Sequence, residues 1–368
     1  MRLALAILTA LWLISGPEAG AAFFAEGNAF NAAKRAFEDG SYDRAEREFG
    51  EFAKKFPKSD RRPEAVLLQA QARYTNQNYT GAVEVLTQNL KDAGKWADQY
   101  HFWTAEALMQ SGDFDAAAKS YAEVVRAFPG SPRRPAAIYG EAFARFRQGD
   151  WPGVTRLLRA PEGAFQQFIK AKPKDELAPR GFLLLGEAWF AQKQLREAED
   201  VLRLLPDSAP TPELGWRRQY LLCRIQRFDG RVTEALAGTT NLFTFATAAG
   251  RPRLQTLSVA LRAEILEQLN LLPEAVAAWE KNIIAGEPAE RREALLKIIE
   301  LTLAQNQTAE TVRKLEQFAA QHPRDPALDV AQLTLGELRV RQFRELAGTN
   351  ALVAATAAQT NLLQQAIT

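Results

Sequence analysis

The chain has 368 residues, with 46 Lys plus Arg against 44 Asp plus Glu and a formal net charge of +2. That balance gives no global attraction for nucleic acid, and the absence of long polar or single-sign charge blocks argues against a disordered chain. A single cysteine, Cys223, cannot make an internal disulfide, so the fold depends on core burial.

Residues 1–22 read as a signal peptide. Arg2 precedes an apolar run from Leu3 to Ile14, too short to span a membrane, and Ala19-Gly20-Ala21-Ala22 supplies small residues for cleavage. The prediction is an exported, periplasmic protein with no transmembrane segment after cleavage near Ala21 or Ala22. No cysteine stands near that site for a lipid anchor. Cys223, inside an apolar run, is expected to be a buried small residue rather than a nucleophile.

Downstream, one unit is copied. In its clearest form, Ser111 to Ser131, Gly112 closes one helix, Asp113 caps the next, and Ala117, Tyr121 and Val124 share a face before Pro129 ends it. The residue two places after each turn recurs as Tyr42, Tyr79, Phe114, Trp151, Leu195, Val232, Leu272 and Ala309. The steps are 37, 35, 37, 44, 37, 40 and 37 residues. Three places on, the residue is small or β-branched: Ala45, Ala82, Ala117, Val154, Ala198, Ala235, Ala275 and Val312. Phe56-Pro57, Phe128-Pro129 and His322-Pro323 end second helices, and Pro63, Pro135 and Pro179 open first helices. Two helices per unit at this period predict an α-helical solenoid of about eight units, the small residue marking close helix approach.

The pattern resembles the tetratricopeptide repeat family: Ala45, Phe49, Phe52 and Pro57 in the first copy, and Ala117, Tyr121, Val124 and Pro129 in the third, occupy that family's small, aromatic, apolar and proline places. It covers roughly residues 26–345 and weakens from residue 216 onward. The Phe-Pro-x-Ser endings at Ser59 and Ser131 are most similar to exported tetratricopeptide proteins of the bacterial envelope, of the outer-membrane assembly lipoprotein and Tol-Pal-associated periplasmic types. The resemblance implies a right-handed α-α superhelix whose concave groove binds an extended peptide or helix. On the first helices it implies a groove of Phe30, Lys34, Tyr74, Phe102, Glu106, Tyr139, Phe143, Phe146, Phe190, Tyr220 and Arg224, rich in aromatics that anchor a partner at small entropic cost.

The 44-residue step marks an irregular insertion at 159–178 between an N-terminal array, 23–158, and a divergent C-terminal array, 179–368. The run from Gly238 to Gly250 carries no charge and fits the long end of a second helix. No charged residue follows Glu345, which opens self-association through the tail or continuation of the natural chain beyond Thr368.

Two histidines, one cysteine and no metal-protease, nucleophile-elbow or phosphate-loop motif argue against catalysis, and no cofactor or metal is expected. Acid pairs such as Glu46 with Glu48, or Glu264 with Glu267, fit solvated helix faces. Paired arginines recur next to the unit junctions, Arg61-Arg62, Arg133-Arg134 and Arg291-Arg292 before a first helix and Arg217-Arg218 just inside one, and define a candidate basic edge for an acidic partner or an anionic envelope polymer. The function expected is a non-catalytic protein–protein interaction scaffold of the cell envelope. Alternatives are the helical arm of a larger peptidoglycan-active enzyme, whose catalytic part lies elsewhere, and a carbohydrate-uptake binding protein.

Overall fold

The computed structural model describes residues 17–205 and 211–347, together with 361, 364 and 365. Most of the expected leader, and nearly all of the uncharged tail, lie outside the described residues. Two compact units divide the chain, residues 1–193 and 194–368.

Among the described residues, unit 1 contains ten α-helices: α1 (Pro17–Glu38), α2 (Tyr42–Lys55), α3 (Arg62–Thr75), α4 (Tyr79–Gln88), α5 (Ala97–Ser111), α6 (Phe114–Ala127), α7 (Arg134–Gln148), α8 (Trp151–Arg159), α9 (Ala164–Ala171) and α10 (Leu177–Ala191). Unit 2 contains α11 (Leu195–Arg203), α12 (Pro212–Phe228), α13 (Val232–Ala249), α14 (Pro252–Gln268), α15 (Leu272–Ala285), α16 (Pro288–Ala304), α17 (Thr308–Gln321) and α18 (Leu328–Ala347). Among the described residues there is no strand, and no helix is long and apolar enough to cross a membrane. The architecture is the all-α solenoid that the period predicts: within each unit, helices pack on their neighbours in sequence.

The turn from first to second helix is built the same way eight times. Gly40, Gln77, Gly112, Gly149, Lys193, Gly230, Asn270 and Asn306 all have positive φ, between 57° and 85°. In seven of the eight the following amide reaches back into the first helix, as Asp113 N to Leu108 O at 3.0 Å and Leu271 N to Leu266 O at 3.0 Å, the Schellman closure that satisfies otherwise orphaned carbonyls. Asn78, Asp113 and Asp150 then cap the next helix by accepting from the amides of Gly81, Ala116 and Gly153.

Five residues after the left-handed residue comes the small packing position. Ala45, Ala117, Val154, Ala198, Ala235 and Ala275 have no exposed surface, and Ala82 has 1%. In the eighth copy the register differs from the sequence expectation by one residue. Asn306 takes the left-handed turn, so the place belongs to Thr311, 1% exposed, and Val312 is only half-buried. A threonine is tolerated because Thr302 and Thr311 bond Oγ1 to Oγ1 at 2.8 Å.

The four second-helix endings Phe56-Pro57-Lys58-Ser59, Phe128-Pro129-Gly130-Ser131, Lys172-Pro173-Lys174-Asp175 and His322-Pro323-Arg324-Asp325 form one kind of turn. The amide of the last residue bonds to the carbonyl of the first at 3.0–3.2 Å. The 159–178 stretch therefore ends like its neighbours, and it contains α9, whose Phe165 is buried edge-on against Phe182 at 5.7 Å. It is an inserted helix inside unit 1 rather than an irregular boundary, and the division into compact units falls at Lys193. The uncharged Gly238–Gly250 run continues α13 to its end.

Ala117→Leu should lower unfolding free energy by about 1–3 kcal/mol through overpacking of the α5–α6 contact. Urea denaturation followed by circular dichroism checks this, and an unchanged midpoint would show that the helices are not in close approach there.

Candidate functional site

Counting back from each left-handed turn residue sorts the groove residues by place. Three residues before it stand Phe37, Tyr74, Met109, Phe146 and Phe190 in unit 1, all half-buried. In unit 2 the same place holds Arg227, Glu267 and Leu303. Six residues before it stand Lys34, Gln71, Glu106, Phe143 and Glu187, then Arg224, Glu264 and Glu300. Ten before it stand Phe30, Leu67, Phe102 and Tyr139, then Tyr220 in unit 2. The residues singled out from the sequence thus occupy three equivalent places on the first helices.

Their environments differ. Phe30 and Phe102 are 5% and 6% exposed and belong to the helix core, Phe30 edge-on to Phe49 and Phe52 and Phe102 edge-on to Tyr121. Neither offers surface to a partner, which corrects their groove reading. Tyr74 and Trp103 meet edge-on at 5.4 Å, Tyr139 and Phe143 stack at 6.1 Å with a 6° interplanar angle, and Phe146 and Phe190 are half-buried. Lys34 is exposed and its nitrogen lies 3.8 Å from Glu38. Trp103 and Met109 join this face; the second was legible from the register, the first only from its contact with Tyr74.

In unit 2 several of the equivalent places are held by ion pairs. Arg227 pairs with Glu264, and Glu267 accepts from Trp279 Nε1 at 2.7 Å while Lys297 lies at 3.3 Å. Tyr220 stacks on Trp216 at 4.7 Å, with Arg224 over its ring at 5.8 Å. The acid pairs seen in the sequence are ion-pair members as well: Glu46 holds Arg73 at 2.8 Å and Glu48 holds Arg44 at 2.6 Å.

Beneath the aromatic face, Glu106 turns inward and accepts from Tyr121 Oη at 2.5 Å. Burial pushes its carboxyl above the usual range, with the Tyr121 hydrogen bond and Arg133 acting in the opposite direction. Glu141, 5% exposed, is likewise raised by burial, opposed by Arg145, which it contacts at 3.0 Å. Arg145 also reaches Asp150 at 3.2 Å, so Glu106 and Arg145 each serve the helix interior and not Phe143 and Phe146.

The arginine pairs belong to the junctions. Arg61 lies over Phe30 and Arg133 over Phe102, both at 5.2 Å. Ser59 and Ser131 accept from the amides of Arg61 and Arg133 at 3.0 Å and donate to Glu26 and Asp98 at 2.5 Å. Arg62 donates to Asn89 at 2.6 Å and to Asp92 at 3.3 Å, and Arg134 to the Val125 carbonyl at 3.2 Å. Arg218 donates to the Leu202 carbonyl at 3.0 Å, and Arg217 is also partnered. Arg291 pairs with Asp325 at 2.6 Å and Arg292 with Asp329 at 2.9 Å. The basic-edge reading gives way to a structural one, because each pair ties one repeat to the next. Phe-Pro-x-Ser and Arg-Arg are two halves of one junction.

Cys223 has no exposed surface, and burial raises its thiol pKa. His101 packs its ring 6.0 Å from Phe128 and His322 4.9 Å from Phe318. Among the described residues no group of His, Cys, Asp and Glu is arranged to hold a metal ion.

Residues 30–94, 67–132 and 102–153 each match the profile of the tetratricopeptide repeat family. Residues 30–153 are thus similar to tetratricopeptide repeats. This matched region lies wholly in unit 1 and contains most of the aromatic face. Solved structures similar to the chain include a tetratricopeptide repeat protein from Parabacteroides merdae, 13% identical over 76% of this chain and 98% of that one, with a TM-score of 0.51. The C-terminal part of a tetratricopeptide protein from Cytophaga hutchinsonii is 17% identical over 70% and 95%, with a TM-score of 0.51. The apo form of RapI is 8% identical over 93% and 96%, with a TM-score of 0.52. At these identities the likeness is one of fold. No curated protein sequence matches the chain.

Glu106 sets a pH test. A carboxyl whose folded pKa is raised contributes stability in full below its unfolded value, about 4.3, and loses it as pH rises through the folded value. Glu106→Gln should therefore gain stability relative to the unaltered protein between about pH 4 and about pH 7. Paired urea titrations at the two pH values check the sign; a difference that does not change with pH would contradict it.

Proposed function

We propose that the protein is a non-catalytic binding scaffold that holds a peptide or helix of a protein partner on the aromatic first-helix face of unit 1. One observation carries this reading. Three residues before the turn, unit 1 holds four half-buried aromatics and Met109, whereas unit 2 holds the ion-paired Arg227 and Glu267 and then Leu303. Tyr139, Phe143 and Phe146 present large rigid surface with a polar edge, the chemistry of interface anchors. The place in unit 1 three residues before the turn carries no charge in any of its five copies, so an apolar ridge of the partner meets no desolvated ion there.

The leader-like residues 1–22 support export to a periplasm, and the Phe-Pro-x-Ser endings support a role in the bacterial envelope. The partner's docking segment would be an apolar strand or the apolar face of a helix.

Phe143→Ala and Phe146→Ala, made singly in protein lacking residues 1–22, should each weaken capture of the partner from a crosslinked envelope extract by about tenfold or more. Thermal unfolding should remain cooperative. Loss of folding instead would assign the two rings to packing, and undiminished capture would contradict the proposal.

A further inference from the structure

A second surface of unit 1 has different chemistry. An open cleft of about 1130 Å³ lies between α2 and α4, with α3 as its floor. The α4 wall is short: it has 10 residues, whereas α2 and α6 have 14 each. Its ends are fixed by ion pairs, Arg73 with Glu46 at 2.8 Å and Arg62 with Asp92 at 3.3 Å. Between them, Gln69 lies against Gly50, where an added Cβ would come 2.7 Å from its amide nitrogen.

On the α2 wall Arg47, Glu51 and Lys54 follow at i, i+4 and i+7, one helical face about 10 Å long. All three are exposed, and none has a hydrogen-bond or ion-pair partner among the described residues. Glu84 on the α4 wall is in the same condition at its side chain. The third copy provides an internal comparison. At equivalent places α6 has Lys119, Glu123 and Arg126, the same order of charge, but closed on itself: Lys119 to Asp115 at 2.5 Å and Arg126 to Glu123 at 2.7 Å. In the first copy Asp43, the counterpart of Asp115, is engaged by Asn76 Nδ2 at 2.8 Å, and Arg47 is left without it.

We propose that this cleft is a second binding site, for a protein segment presenting acid, base and acid in that order along about 10 Å. The plus-minus-plus wall is its electrostatic complement. A uniformly anionic polymer is opposed by Glu51 at the centre of the wall and Glu84 across from it. A small molecule is disfavoured by a cleft that is open and polar where such sites are enclosed and mostly apolar. The site is independent of the aromatic face, since none of its residues belongs to that register.

The test uses the full chain and three fluorescent helical peptides of one length, with Glu-Lys-Glu, Lys-Glu-Lys or Glu-Glu-Glu at the i, i+4, i+7 places, read by anisotropy. Glu-Lys-Glu should bind at least about tenfold more tightly than the others, and more weakly as salt rises. Exchanging the wall charges in one variant, Arg47→Glu with Glu51→Lys and Lys54→Glu, should reverse the preference to Lys-Glu-Lys. These residues are exposed, so the unfolding curve should not move. Phe143→Ala and Phe146→Ala should leave peptide binding unchanged, which separates this site from the aromatic face. Failure of Glu-Lys-Glu to bind, equal binding of all three peptides, tightest binding of Glu-Glu-Glu, or no reversal in the exchanged variant would each overturn the proposal.

Discussion

Everything in this molecule follows from the close approach of two helices at a pair of small side chains. The second-helix place holds Ala45, Ala82, Ala117, Val154, Ala198, Ala235, Ala275 and Thr311. On the first helix, seven residues before the left-handed turn, stand Ala33, Ala70, Ala105, Ala142, Gly186, Cys223, Ala263 and Ile299, all buried. In every copy but the last, Thr311 with Ile299, small or β-branched residues on one side and Ala, Gly or Cys on the other let the helices approach closely and leave the large side chains to fill the space around the crossing. Phe49, Tyr121 and Trp279 are such fillers, each at most 2% exposed. Once the crossing is fixed, so is the facing of every other residue, which is why one register sorts core, junction and surface. Cys223 is conspicuous by rarity alone: it occupies the place that alanine fills in five of the eight copies.

A solenoid gains long-range order only by passing the same geometry from one unit to the next. In unit 1 the Phe-Pro-x-Ser turn and the arginine pair do this together. The serine hydroxyl bridges an arginine amide and an acid on the previous first helix, while the guanidinium covers the phenylalanine that the same helix buries. In unit 2 Asp325 takes the serine's place and Arg291 pairs with it directly. These contacts involve charge yet serve cohesion, so that net charge and charge motifs give little guide to where a partner docks. Guidance comes instead from places where equivalent residues differ: aromatic against ion-paired on the first helices, and unpaired against self-paired on α2 and α6.

Much of this was legible beforehand. Period, turn position, small packing place and the opening prolines Pro63 and Pro135 were readable, because left-handed turns and close crossings restrict residue type strongly, whereas Pro179 is the third residue of its helix. The last copy slipped by one residue because Thr308, Ala309, Thr311 and Val312 offer small or β-branched residues in two registers, and only the left-handed Asn306 chooses between them. The sequence register places the first-helix aromatics in shared positions but does not reveal that Phe30 and Phe102 are buried, since a first helix buries residues on two sides and composition does not say which aromatic lies under an arginine. The arginine pairs misled for a related reason: their acceptors, Asp92, the Val125 carbonyl and Asp325, lie far along the chain from the pairs they serve or belong to the backbone. The α2–α4 cleft had no sequence signal beyond a short second helix.

The claim that repeat register separates docking surface from packing and junction residues is tested most directly by site-specific photo-crosslinking. A photoreactive amino acid placed at position 143, 146 or 133 of the full chain would be irradiated in the presence of envelope extract. The account predicts partner adducts from positions 143 and 146 and none from position 133, where the arginine lies over Phe102. Adducts from position 133, or equal yields at all three, would contradict it.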